Sequence, residues 1–577
     1  MNTTQTGKSI LQKPLRLWPG VVIVILQWLL RFVLPIVAPN AVAIAVISGL
    51  AGGLAIVVWW LFFSRAAWLD RLAGVGLMAV SLYVTTRFLD KSLATGAQGM
   101  LFFVLAVPVL SLAFVACTIV SRHLGDGPRR VAMALSILLA CSVWTLIKTG
   151  GFTGNFENDL KWRWTKTPEE QLLSQKTDES IFTQSDRTVK PAAEWPGFRG
   201  AERDGVARGV RVETDWSHSP PVQLWRRSVG PGWSSFAVRN DFCYTQEQRG
   251  QDEFVTCYRI ISGKPVWRHG DPARFWESNG GAGPRGTPTL DRNRVYTFGA
   301  TGILNALDAS SGALVWSRNV AADSDMKIPG WGFASSPLVI GDLVVVAADG
   351  KLAAYDVNDG KPRWFGPTHR GSYSSPHQWM VDGVPQVLLL SGAGLTSVTP
   401  TDGKVLWEYA WEGVTIVQPA PIGDGDILVS TGGGGGGAGI RRMVVKHSPD
   451  GWTLTERWTS SGLKPYFNDF VVHKGHAYGF DGSLLACIEL EQGKRRWKGG
   501  RYGNGQLVLL PDQDALLVVS EKGDLALVSA TSDDFKELAR VEAIHGKTWN
   551  HPVVTGNLLL VRNAEEMAAF QLPSKSL

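Results

Sequence analysis

The chain has 577 residues, 57 Lys and Arg against 51 Asp and Glu, a formal net charge of +6 and five cysteines. That length exceeds one compact core, and the near-zero mean hydropathy conceals two unlike halves. No dense Lys/Arg stripe marks the second half, which argues against nucleic acid; no C-x-x-C-H or paired His/Cys spacing points to covalent haem or structural zinc.

Apolar runs dominate the first 150 residues. Five spans are expected, at 18–38, 41–63, 70–88, 100–120 and 130–149, each near the ~20 residues that cross a bilayer. A cleaved leader would not be followed by four more spans, so residues 1–150 read as an anchor. Arg31 and Pro35 interrupt the first span; Arg31 is expected to snorkel toward a Pro39-Asn40 turn or to face the bundle interior. With the N-terminus inside, the cytoplasmic side holds Lys8, Lys13, Arg16, Arg65, Arg71, Arg122, Arg129 and Arg130, against Arg87 and Lys91 opposite. That asymmetry predicts N-in and C-out, with the second half outside the cytoplasm.

Residues 151–194 connect the halves. Segment 152–164 is amphipathic and aromatic, suited to a membrane surface. From 165 to 193 the chain is polar and poor in large apolar residues, which predicts a tether.

From 195 onward the chain repeats. Segment 331–366 reads as four short strands separated by Gly341-Asp342, Asp349-Gly350 and Asp359-Gly360, residues that accept the positive φ of tight hairpins. Its last strand recurs at Trp267, Trp316, Trp407 and Trp497, each preceded by a glycine four residues earlier (263, 312, 403 and 493), as Gly360 precedes Trp364. Looser copies end at Trp225, Trp458 and near Leu538. A period of forty-odd residues with four strands predicts an eight-bladed propeller over 195–577. The early strand 222–229 is expected to complete the last blade, because an open ring would leave two unpaired sheet edges.

The (A/Y)-x-D-x-x-(S/T/D)-G-x-x-x-W pattern resembles the pyrroloquinoline quinone (PQQ) repeat family. The resemblance implies an eight-bladed fold shared by PQQ-dependent dehydrogenases and by a non-catalytic propeller lipoprotein of outer-membrane protein assembly. The segment Trp195-Pro196-Gly197-Phe198-Arg199-Gly200, then Asp204-Gly205-Val206, is similar to the opening motif of bacterial membrane-anchored members, and 162–173 to their linker. This places the anchor in a bacterial inner membrane. An anchor ahead of eight blades also resembles, in architecture only, the membrane-bound glucose dehydrogenase that reduces ubiquinone. The adjacent-cysteine disulfide of several PQQ alcohol dehydrogenases is absent.

Cys117 and Cys141 fall in spans. Cys257 and Cys487 occupy the small strand position held elsewhere by Ala306, Ala354 and Ser397, so they read as packing residues. Cys243 and Cys257 flank a turn near Gly250, where a disulfide is open in an oxidising compartment but not the preferred reading. The glycine run 432–437 lacks the Lys-Ser/Thr of a phosphate loop and reads as a hairpin insertion in the fifth blade.

Aligning the blades on their inner strands gives rings of equivalent positions. One reads Ser235, Thr287, Ser336, Ser375, Ala420, Asp469, Gly505, His551; the ring before it includes Asn468, Asn504 and Asn550. Two positions before the first stand Trp233, Arg285, Ala334, Tyr373, Gln418, Phe467, Gly503 and Trp549. The quinone resemblance turns this into a sharp expectation. Trp233, Arg285, Tyr373, Gln418, Trp549 and His551 would bind a planar anionic cofactor, with Asn468, Asn504 or Asn550 giving oxygens to Ca²⁺ and Asp469 the general base. The alternative is that strand-start Asn, Asp and Ser bond turn amides while aromatics plug the channel. That alternative is preferred, because fold kinship does not carry function. Only 279–285, 321–331 and the glycine loop look long enough to cap a pocket.

Two readings follow. The preferred one is a membrane-anchored extracytoplasmic propeller that binds a partner protein or ligand without catalysis. The other is a quinoprotein dehydrogenase, using PQQ and Ca²⁺, that oxidises an alcohol or sugar and reduces membrane quinone.

Overall fold

The computed structural model describes residues 15–38, 41–153, 157–174, 194–433 and 436–574. The expected roles of Lys8, Lys13, the Pro39-Asn40 turn and most of the 165–193 tether lie outside them. Two compact units emerge, Met1–Thr165 and Lys166–Leu577.

The first unit is a helical bundle, with α1 Trp18–Val37, α2 Ile44–Phe63, α3 Trp68–Thr85, α4 Leu101–His123 and α5 Asp126–Leu146. Four of them, α1, α2, α4 and α5, are long and apolar enough to cross a membrane by length and composition. The expectation of five spans is corrected to four on that criterion. Asp70 and Arg71 in the first turn of the 18-residue α3 dilute its apolar character. Helix α1 runs through Arg31 and Pro35 by widening into a π-turn at Leu29–Val33, which absorbs the hydrogen bond a proline cannot make.

Helix directions alternate. At one end the Arg16 N–H donates to Ser64 O at 3.0 Å, Arg71 reaches Leu61 O, and buried Asp70 meets Arg130 at 2.6 Å. At the other end Arg163 donates to Phe88 O and the Thr149 N–H to Ser92 Oγ. The chain therefore leaves the bundle at the end opposite Arg16. A hairpin follows, Ile147–Phe152 paired with Asn158–Trp162, and exposed Trp162 and Trp164 stack with ring centroids 5.2 Å apart. Residues 1–165 carry 14 Lys and Arg against 5 Asp and Glu, whereas the rest carries 43 against 46. The net positive charge thus belongs to the bundle.

The second unit opens with helix α6, Pro168–Ser174. Its Thr167 and Glu170 bond each other's backbone N–H, a reciprocal N-terminal cap. Glu169 then holds Arg274 through both carboxylate oxygens and accepts the Gly250 N–H, seating α6 on the first blade.

Eight four-stranded antiparallel sheets make the propeller. Blades one to seven span 237–271, 289–319, 338–365, 377–410, 420–460, 471–501 and 506–542. The eighth takes Val553–Thr555, Leu558–Arg562 and Glu566–Gln571, and its outer strand is Val222–Ser228, with Val222 opposite Gln571 and Ser228 opposite Glu566. The expected closure by the early strand holds. The glycine run is a hairpin extension between Asp426–Gly433 and Gly436–Ser448.

The repeat motif works across blades, not within one. Trp267 Nε1 donates to Ala309 O at 3.0 Å and Trp316 Nε1 to Val357 O at 3.0 Å, each carbonyl lying in the next blade. Each indole also packs flat on that next blade's turn glycine. A Cβ on Gly312 would lie 2.4 Å from Trp267, and one on Gly360 2.6 Å from Trp316. Trp407 is the exception and bonds Gln386 of its own blade, since the following turn at Gly451 leaves open space. Cys243 stands opposite Tyr258 and Cys257 opposite Tyr244, so the two thiols face opposite sides of the first blade. All five cysteines are free.

Candidate functional site

The inner strands bring several of the aligned positions into contact from one blade to the next. In blades one to three the ring N–H donates to the hydroxyl of the next blade's ring residue. Ser235 donates to Thr287 Oγ1 at 3.0 Å, Thr287 to Ser336 Oγ at 3.0 Å, and Ser336 to Ser375 Oγ at 2.8 Å. Further round, the Gln418 N–H donates to Asp469 Oδ1 at 2.9 Å. These buried side chains sew neighbouring blades together where no sheet hydrogen bond can reach.

The upper mouth, where the inner strands begin, carries an aromatic cluster from blades one, six and eight. Trp233 and Trp549 lie with ring centroids 4.8 Å apart, and Phe467 is 4.9 Å from Trp549. Lys547 sits over both indoles, at 5.3 and 4.4 Å, and donates to Asn279 O. Trp549 Nε1 is held by buried Glu521 at 2.7 Å and Trp233 Nε1 by Gly280 O at 2.7 Å. Across the channel Tyr373 packs on Trp331 at 4.9 Å. Loop 279–285 therefore folds onto the mouth, while part of 321–331 forms the short helix Val320–Ser324.

Arg285 is committed to its own chain. It donates to the carbonyls of Ala282, Gly283, Gly281 and Trp331, meets Glu277 Oε1 at 3.1 Å, and lies over Phe275. Burial lowers its pKa, offset by Glu277 and Glu253. Asn550 donates to Ser234 O at 2.7 Å and to Gly232 O, and buried Asn468 accepts the Tyr466 N–H. Asn504 lends its backbone N–H to Glu521. Asn504 thus borders an acidic group. Among the described residues, buried Asn550 Oδ1 and Asn468 Nδ2 are left without a hydrogen-bond partner, and no cluster of three or more His, Cys, Asp or Glu can hold a metal.

A second cluster, which the sequence reading missed, comes from the opposite face. The 195–207 segment pairs Trp195 with Val238 of blade one and Val206 with Leu509 of blade seven. It drives two arginines into the core. Arg199, 3% exposed, donates to Phe470 O at 2.6 Å and lies 3.5 Å from Asp469; Arg203 donates to Pro337 O and Ser336 O. Asp469 is thus an internal counter-ion, 6% exposed. Burial raises its pKa while Arg199 opposes the rise. His551 stacks on Trp195 and meets Phe198 edge-on, and burial beside Arg199 pushes its pKa down to about 3. His377 falls to about 3 as well, through burial next to Arg203 and Arg199. Both imidazoles are neutral at physiological pH, which spares the core two more charges. The motif Trp195 to Gly200 was the only sequence signal for this plug, and it gave no hint of which blades the arginines reach.

One titrating group borders the mouth. Glu253, buried between blades one and two, accepts the Ala300 N–H, and burial lifts its pKa to about 7. Its folded pKa exceeds the unfolded value, so its contribution to stability is complete below about pH 4.5 and lost as pH rises through 7. Glu253→Gln is expected to stabilise the protein at pH 8 by as much as about 3 kcal/mol and to change little at pH 4. Urea midpoints at the two pH values check this.

Comparison with known proteins follows the same lines. A family model described as outer membrane protein assembly factor BamB matches residues 251–498. The curated BamB of Shewanella oneidensis is 23% identical over 384 residues, which is 61% of this chain and 89% of that protein. Among solved structures, BamB from Moraxella catarrhalis aligns at 16% identity and a TM-score of 0.46, covering 62% of this chain and 99% of its own. Quinohemoprotein alcohol dehydrogenase from Comamonas testosteroni aligns at 13% identity and 0.47, covering 67% and 82%. The likeness of the repeats to the PQQ-like, BamB-type propellers holds in the family match and in the eight-bladed fold.

Proposed function

We propose that this PQQ-like propeller is a membrane-anchored, extracytoplasmic binding scaffold without catalysis. The observation that carries the reading is the state of the channel. At its mouth the indoles of Trp233 and Trp549 contact each other, its cation is consumed by Glu277 and four carbonyls, and its carboxylate is an internal ion pair. A planar quinone needs an open stacking slot, and calcium needs several convergent oxygens. The contacting indoles and the committed Arg285 speak against that pair, while Asn550 Oδ1 and Gln418 Oε1 are buried oxygens left without a partner among the described residues.

The rim fits a protein partner better. Half-buried Trp233, Trp331, Tyr373, Tyr466, Phe467 and Trp549 make an aromatic rim, with Lys547 over two of its indoles, and aromatic residues are the type enriched at the core of protein interfaces. The relatives are named for protein assembly at the outer membrane. This chain carries a helical unit with four membrane-length helices, which supports an inner-membrane anchor instead. Its arginine-rich end holds Arg16, Arg65, Arg71, Arg122, Arg129 and Arg130, and the chain departs from the opposite end. By the positive-inside rule the propeller then lies on the periplasmic or external side.

The test is reconstitution of the full chain with PQQ and Ca²⁺, followed by dye-linked oxidation of alcohols and aldoses. No cofactor retention and no turnover are expected. Turnover that depends on Asp469, lost in Asp469→Asn with the fold intact, would establish the dehydrogenase reading in its place.

A further inference from the structure

We propose that the groove between α1 and α2 holds an acyl chain of an anionic phospholipid, with the headgroup phosphate on Arg16 and Arg65. The proposal rests on the membrane reading above. The groove is about 610 Å³ and is lined by Ile23, Ala51, Leu54, Ala55, Val58 and Phe63. Ala51 and Ala55 stand one turn apart on the same face of α2, and their small side chains create the hollow where longer ones would fill it. Trp18 forms one wall, and the Trp59 indole closes the floor by donating to Arg16 O at 3.1 Å.

The rim supplies the charge. The Arg16 N–H donates to Ser64 O, so residues 16 and 65 emerge beside each other at the arginine-rich end. Of the other arginines there, Arg122 contacts only His123 among the described residues, and the remaining three are held by carbonyls or carboxylates. Arg71 is bonded to Ala66 O and Leu61 O, Arg129 to Asp126, and Arg130 to Asp70. Arg16 and Arg65 are exposed and make no ion pair among the described residues; the Arg16 guanidinium only leans over Trp18 at 5.4 Å. An apolar slot with Arg16 on its rim, and Arg65 next to the Ser64 that Arg16 bonds, matches a lipid tail bearing an anionic head. A neutral tail would leave the arginines unused, and free phosphate would leave the slot empty.

The experiment uses the full chain in liposomes of phosphatidylethanolamine and phosphatidylglycerol, extracted mildly and weighed by native mass spectrometry. One retained phosphatidylglycerol is expected. Arg16→Gln with Arg65→Asn should cut its occupancy about thirtyfold, the usual strength of two surface arginines toward anionic lipid. Asparagine is chosen because residue 65 sits at φ 63, which it tolerates. Arg16→Lys with Arg65→Lys should restore binding, and Ala51→Phe with Ala55→Phe should abolish it with the charges intact. Circular dichroism confirms that each variant keeps its helices. Equal retention of phosphatidylethanolamine, survival of the adduct in both loss variants, displacement by inorganic phosphate, or an isoprenoid quinone in its place would each overturn the proposal alone. Failure of the wild type to float with liposomes would overturn the membrane reading together with it.

Discussion

Arg562→Ala is expected to lower the stability of the propeller by about 3–5 kcal/mol, read as a fall in the urea midpoint of tryptophan fluorescence. Arg562 is 1% exposed and sits in blade eight, yet its guanidinium is spent on blade one and the strand joining it. It donates to Thr245 Oγ1 at 2.5 Å, to Gln246 O at 2.9 Å, and to Gly230 O and Gly232 O. This is the seam where the ring closes. Truncation would strand those buried acceptors, each costing about 1–3 kcal/mol before relaxation. Glu247 lies in the same seam, fully buried, accepting from the Gly230 N–H at 2.6 Å, Thr256, Tyr258 and Arg249. Burial alone would raise its pKa, but Arg249, that N–H and Arg268 together bring it down to about 2. Its stabilisation is present above about pH 4.5 and lost as pH falls toward 2. Glu247→Gln should therefore flatten the acid limb of the stability profile between those values. A steep limb unchanged in that variant would assign acid unfolding to other carboxylates.

Gly312→Ala should cost about 2–4 kcal/mol, the sum of a left-handed backbone and a clash with an immobile ring. Gly312 has φ 72, and its new methyl would meet the Trp267 indole, which is pinned by Ala309 O. Gly341→Ala separates the two terms. It has φ 62 but open space around it, so it should cost only the backbone part, about 1–2 kcal/mol. Equal losses in the two variants would mean that indole docking contributes nothing beyond the turn.

Much of the propeller is legible before folding because its repeat is local. Asp-Gly turns, alternating strands and a tryptophan at fixed distance from a glycine are written within each forty-odd residues, and eight copies with a spare N-terminal strand leave only one way to close. The apolar helices are legible for the same reason, except at α3. There Asp70 breaks the apolar run, while the structure buries it against Arg130 from α5, sixty residues away.

The candidate site divides differently. Ring alignment picked out positions that the structure links from blade to blade in blades one to three. It did not say which of their atoms remain available. Trp233 and Trp549 are separated by more than three hundred residues and meet only because the last blade abuts the first. Arg199 reaches Phe470 and Asp469 from a segment that precedes every blade. Short-range pattern by itself thus determined the blades, their number, the closing strand and the run of apolar helices, because hydrogen-bonded turns and burial of alternate side chains act over a few residues. Tertiary structure alone decided whether a charged or aromatic side chain is free to bind or already spent, because that depends on partners brought from other blades.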